Sequence, residues 1–137
     1  MTYKHPSSDI LKSMLEDTAK IALIGASSDP SRPANRIMQA LMNVGYKVYP
    51  VNPNEDIVHG EKCFGSLQDI PEQIDMVNVF RRPAATPEVA RQAVEAKARF
   101  LWLQLGVYNE EAYRIASNAG LTVVMDKCIA VEHAKLL

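Results

Sequence analysis

Cysteine is scarce in this chain: only Cys63 and Cys128 occur in 137 residues. They lie far apart, match no metal-ligand spacing and are too few for a disulfide framework. A reducing, cytoplasmic setting is therefore expected. An excess of one charge is missing as well, since 15 Lys and Arg stand against 16 Asp and Glu, for a formal net charge of -1. General nucleic-acid binders carry a basic surplus, so that class is not expected. Long apolar runs are absent too, and nothing approaches the roughly 20 residues of a membrane helix. Met1 to Ser8 is polar, and the first apolar group, Ile10, Leu11, Met14 and Leu15, is interrupted by Lys12 and Ser13. A secretory leader needs a continuous apolar stretch instead. No HExxH, GxSxG or Walker A pattern is present. His5, His59 and His133 are scattered without a nucleophile at hand. No catalytic residue and no metal ligand is assigned, and an enzyme is not expected. Cys128 stands near Glu132 and His133, but a buried packing cysteine is the expectation there.

What the chain does contain is apolar material in short, regular portions. Hydrophobic residues make up 47%, enough for one domain of this length to bury a core without staples. A single domain over 1–137 is expected, with 1–19 as a helical extension. Asp9–Asp17 reads as a helix capped by Ser7 or Ser8. Lys20–Ile24, Tyr46–Val51, Asp75–Phe80, Phe100–Leu105 and Leu121–Met125 read as strands, with Trp102 in the core. Between them, Pro33–Asn43 is helical by its spacing of Ile37, Leu41 and Val44 and is stopped by Gly45. Thr86–Lys97 is helical with Thr86 as cap and Pro87 in the first turn. Asn109–Ala119 follows, capped by Asn109 and ended by Gly120. The stretch from Asn52 to Ile74 reads as irregular, with one short turn around Ser66 to Ile70. Alternating strands and helices imply parallel strands with crossover helices. Runs such as IALIG suit a sheet covered on both faces. The expected fold is α/β: a Rossmann-like, open, doubly wound, mainly parallel sheet of about five strands with an N-terminal helix.

In such a sheet, ligands lie at the carboxyl ends of the strands. The first of these ends carries Gly25, Ala26 and Ser27, then Arg32 and Pro33 at a helix start. A glycine turn of this kind offers backbone N–H groups and a positive helix end to a phosphate. Valine in place of Gly25 is expected to cut ligand affinity more than it disturbs the fold. The second end carries Val51, Asn52, Pro53 and Asn54, where a dinucleotide enzyme places an acid for the ribose. Glu55 and Asp56 come later and read as solvated loop charges. Phe80, Arg81, Arg82 and Pro83 form the third end, and Gln104, Leu105, Gly106 and Val107 the fourth. Arg32, Arg36, Arg81 and Arg82 would gather on one rim, and arginine forks suit phosphate.

Taken in order, IGASSDPSRPANRIMQAL, GYKVYPVNPN, VNVFRRP, LWLQLGV and GLTVVMDKCIAVEH resemble the stand-alone CoA-binding protein family, itself similar to the N-terminal CoA-binding domain of the succinyl-CoA synthetase alpha subunit. The resemblance covers roughly Lys20 to His133. It implies a ligand whose phosphates lie near Gly25 to Ser27 and Arg32. The adenosine end would lie near Val51 to Asn54, with further contacts at Phe80 to Pro83 and Leu105 to Val107. The synthetase carries its phosphohistidine on a later domain, so ligase activity is not implied. The expected role is a non-catalytic CoA or acyl-CoA binding protein with a small-molecule nucleotide ligand and no nucleic acid or membrane partner. The alternative is a small enzyme or regulatory domain that binds NAD(P) or another adenine nucleotide.

Overall fold

The first four helices each bury one side, and the main strands are largely apolar on both faces. These two facts set the layers. The computed structural model describes residues 2–137; Met1 lies outside them. Helix α1 (Ser8–Asp17) buries Leu11, Met14 and Leu15, and the Ser7 hydroxyl accepts the Ile10 amide at 3.3 Å. Strand β1 (Lys20–Ile24) follows, then α2 (Pro33–Asn43) and β2 (Lys47–Val51). A short antiparallel hairpin, β3 (Ile57–Val58) with β4 (Glu61–Lys62), precedes a 3-10 turn at Leu67–Asp69. Then come β5 (Met76–Val79), α3 (Thr86–Glu95), β6 (Phe100–Leu103), α4 (Glu110–Asn118), β7 (Thr122–Val124) and α5 (Ile129–Leu136).

The main sheet runs in the order β2-β1-β5-β6-β7, and every pairing in it is parallel. Side chains alternate between its faces. Ile21 and Leu23 of β1 join Leu15, Met38 and Ile129 in the layer of α1, α2 and α5, whereas Ala22 and Ile24 join Val89, Ala93 and Ala116 beneath α3 and α4. This is the expected Rossmann-like, doubly wound α/β sheet, with helices on both faces. Its chain reverses direction of travel between β1 and β5: one crossover leads from β1 to β2, and later ones lead the other way. A crevice therefore opens at the carboxyl ends of β1 and β5, which is where open parallel sheets hold ligands.

Several local expectations need correction. Thr86 does not cap α3. A 3-10 turn at Pro83–Ala85 leads into the helix, Ala85 takes the cap position, and the Thr86 hydroxyl donates to the Pro83 carbonyl at 2.7 Å. β1 and β2 end where expected, but β5, β6 and β7 end a residue or two short of the apolar runs, whose last residues continue into the loops. The hairpin and α5 were not visible in the residue pattern. Cys128 is only half-buried, at the cap position of α5, while Cys63 is buried with its thiol 3.6 Å from the Asn52 carbonyl. Trp102 is fully buried, as expected, and its indole N–H donates to the Lys127 carbonyl at 2.9 Å.

Candidate functional site

The turn after β1 is stitched to the end of β2. Gly25 and Ala26 both donate their amides to the Val51 carbonyl, at 2.9 and 3.2 Å. Gly25 has φ of +86°, and a Cβ there would lie 2.1 Å from the Phe80 carbonyl oxygen. Only glycine fits, because any side chain would push β1 and β5 apart at the crevice. Valine at this position therefore damages the fold itself, contrary to the expectation that affinity would suffer first.

Side-chain amides hold the rest of the loop. Asn52 donates to the Ala26 carbonyl at 2.8 Å, and buried Asn35 of α2 donates to the Ser27 carbonyl at 2.9 Å. Ser31 gives its amide and hydroxyl to Asp29, at 2.9 and 2.8 Å, and these bonds hold the Asp29 carboxyl below its ordinary pKa. Glu55 reaches over from beyond β2. It accepts the Ser28 amide at 2.6 Å and the Ser28 hydroxyl at 2.8 and 3.0 Å. Those bonds lower its pKa as well. Glu55 is thus a structural partner of the loop and not the solvated charge the sequence implies. With Gly25, Ala26 and Ser28 spoken for, the amides left without an acceptor among the described residues are those of Ser27 and Ala34, at the mouth of α2.

Two clefts open here, on either side of the β1–β5 boundary. The first, of about 510 Å³, is lined by Gly25, Ala26, Ser27 and Arg32, by Asn52, and by Phe80, Arg81, Leu105 and Val107. Asp29, Pro33, Ala34 and Gln104 complete it. The second, of about 520 Å³, is lined by Val51, Asn52, Pro53 and Asn54, and by Gly65, Ser66, Glu88 and Gln92 near α3. Gly25, Asn52 and Arg81 belong to both. The structure thus brings together twelve residue positions named from sequence, from Gly25 to Val107, on one continuous rim. It leaves four outside the lining. Arg36 donates to the Pro30 and Ser31 carbonyls at 3.3 and 2.9 Å and so braces the loop from behind. Arg82 and Pro83 sit on the exposed approach to α3, and Gly106 gives its amide to Asp126 at 2.7 Å. Asp29, Ala34 and the α3 face of the second cleft carry no motif of their own and were missed, whereas Gln104, read at the fourth strand end without a binding role, does line the first cleft. Among the described residues no group of three His, Cys, Asp or Glu could hold a metal ion, and no helix is long and apolar enough to cross a membrane.

Comparison with known proteins adds a consistent picture. The family model described as "CoA binding domain" matches residues 19–134. An uncharacterized protein of Bacillus subtilis, YneT, is 41% identical over 131 residues, covering 96% of this chain and 97% of that protein. A hypothetical protein from Pyrococcus horikoshii OT3 superimposes with a TM-score of 0.93 at 40% identity, covering 99% of both chains. The alpha subunit of acetate–CoA ligase (ADP-forming) II from Pyrococcus furiosus is 28% identical over 129 residues, and the match takes in 85% of this chain but only 28% of that subunit.

Proposed function

The chain belongs to the CoA-binding domain family, and on that premise we propose that it binds coenzyme A or an acyl-CoA at the carboxyl ends of β1, β2, β5 and β6 without transforming it. The observation that carries this reading is the pairing of two clefts of similar size through Gly25, Asn52 and Arg81. A long ligand with a nucleotide end and a pantetheine arm can lie along such a rim, passing its phosphates over the middle. There the Ser27 and Ala34 amides, the start of α2, and the Arg32 and Arg81 guanidinium groups offer donors to phosphate oxygens. The relation to part of a CoA ligase subunit supports the same ligand class. Against NAD, the end of β2 offers Val51 and Asn52, and the acid that follows, Glu55, is bound to Ser28.

Calorimetric titration of nucleotide-free protein with CoA, acetyl-CoA, dephospho-CoA, NAD and ATP tests the proposal. CoA is expected to bind at least about tenfold more tightly than NAD, a difference of about 1.4 kcal/mol. Equal or tighter NAD binding would overturn it.

A further inference from the structure

Two amide side chains interrupt an otherwise apolar layer of the sheet. Asn78 stands in β5 among Met76, Val77 and Val79 and is fully buried. Gln104, one residue past β6, is only 3% exposed and yet lines the first cleft. Its Nε2 donates to Asn78 Oδ1 at 2.8 Å, and its Oε1 accepts the Ile129 amide, at the start of α5, at 3.4 Å. The Ile129 amide fixes which way round the pair lies, since a reversed Gln104 would turn its NH2 group onto another N–H. Both amide oxygens therefore already accept a bond, and what the pair has left over is donors. Asn78 Nδ2 has no hydrogen-bond partner. The second Nε2 hydrogen of Gln104 has no acceptor among the described residues. Buried polar groups are normally satisfied, so two amides in this layer call for an acceptor that completes them.

Beside Gln104 the wall of the cleft turns apolar. Leu105 is 71% exposed, although its turn is pinned. The Val107 amide donates to the Gln104 carbonyl at 2.8 Å, and the Gly106 amide to the Asp126 carboxylate at 2.7 Å. Leu105 lines the same cleft as half-buried Phe80 and Val107. The cleft thus joins a donor-only floor to a leucine held out on a fixed turn. We propose that the first cleft takes the acyl end of an acyl-CoA: Gln104 donates its free Nε2–H to the thioester carbonyl oxygen, and the acyl chain lies on Leu105. This rests on the coenzyme A reading for the carrier of the acyl group. A thioester suits the floor because its carbonyl accepts and it has no N–H of its own. An amide would bring a donor to a place where both oxygens are engaged. Free CoA ends in a thiol, a weak acceptor that leaves the pair unsatisfied. Gln104 and Leu105 therefore set the preference between free and acylated ligand, and Asn78 is the positioning residue that holds Gln104.

The test is calorimetry on the nucleotide-free parent chain with CoA, butyryl-CoA and S-butyl-CoA, the thioether that keeps the chain and lacks the carbonyl. Butyryl-CoA is expected to bind about tenfold more tightly than CoA, from one hydrogen bond and a partly covered chain. S-butyl-CoA is expected to bind about threefold more weakly than butyryl-CoA. In Gln104→Met, with folding checked by thermal melts, the gap between butyryl-CoA and S-butyl-CoA should close. In Leu105→Ser the gap between both of these ligands and CoA should narrow. Equal or weaker binding of butyryl-CoA relative to CoA in the parent would overturn the proposal and leave the coenzyme A reading standing. Equal binding of butyryl-CoA and S-butyl-CoA would overturn it as well, since no carbonyl would then be read. A folded Gln104→Met that still separates these two ligands would remove Gln104 from the role and the proposal with it. Binding of none of the three would overturn both this proposal and the coenzyme A reading.

Discussion

Residues along the β1–α2 loop that look alike in sequence have different jobs, and substitution separates them. Arg32 lines the first cleft, whereas Arg36 has its guanidinium on two loop carbonyls. Arg32→Ala and Arg81→Ala are each expected to weaken CoA binding by about 1–3 kcal/mol, the range for hydrogen bonds to charged groups. The loss should shrink as salt rises, because exposed charges are screened over about 8–10 Å. Arg82→Ala, outside the lining, is expected to leave the titration curve unchanged; a loss equal to that of Arg81→Ala would show that the rim is drawn wrongly. Gly25 and Gly45 make a second contrast. Both have positive φ, but a Cβ on Gly45 meets nothing within 4 Å, while one on Gly25 runs into Phe80. Gly45→Ala is expected to cost about 1 kcal/mol from backbone strain alone. Gly25→Ala is expected to cost several times more, or to prevent folding, and chemical denaturation reads both.

At the scale of elements, what could be read from sequence follows from how local the cause is. The bounds of α2 were legible because Pro33 opens it and Gly45 follows it, but the buried apolar face is Ala34, Met38 and Leu41, not the expected Ile37, Leu41 and Val44, since Val44 is exposed at the helix end. Asn109 was legible as the cap of α4, and its side chain does accept the Ala112 amide at 2.9 Å. Helix α5 was not, since Ile129–Leu136 has no polar cap and only a weak apolar stripe. It packs against α1 and α2, with Ile129 in the core layer on that face of the sheet. The β3–β4 hairpin is two residues on each side, too short for an alternating pattern to register. In the candidate site, glycine, proline and arginine could be placed by motif, but the Glu55–Ser28 and Asn52–Ala26 bonds depend on how β2 lies against the β1 turn. Asp75 shows the same kind of long-range tie. Its carboxylate accepts the Ala19 and Lys20 amides, both at 2.9 Å, and so fixes the start of β1 against the start of β5. Asp75→Ala is expected to lower unfolding free energy by about 1–3 kcal/mol with CoA affinity nearly unchanged, because these bonds lie at the opposite end of the strands from the clefts. A variant with parental stability would show that water replaces the carboxylate at no cost.

Across the whole molecule, the N-terminal segment is drawn back onto the far edge of the sheet by one tyrosine. Tyr3 is buried, its ring meets Tyr108 and Tyr113 edge-on, and its oxygen accepts the buried Met125 amide at 2.9 Å. It thereby joins the start of the chain to the residues that follow β7. Burial pushes its phenol up from 10.0 to about 12. The folded state therefore holds this proton more strongly than the unfolded chain does. The resulting stabilisation is not fully present at all pH values: it is complete below pH 10, where tyrosine is neutral in both states, and is lost as pH rises from there through about 12. Tyr3→Phe keeps the ring but removes the titrating group and leaves the Met125 amide without that acceptor. At neutral pH this variant is expected to melt below the parent, since a buried donor without a partner costs about 1–3 kcal/mol. Between pH 10 and 12 the parent should lose Tm more steeply, so that the two curves converge. Tyr46 and Tyr108 also have raised pKa values, but they are common to both proteins and cancel in the comparison. Parallel curves over that range would mean that Tyr3 ionises without strain in the folded chain, and that the N-terminal segment is held by ring packing alone.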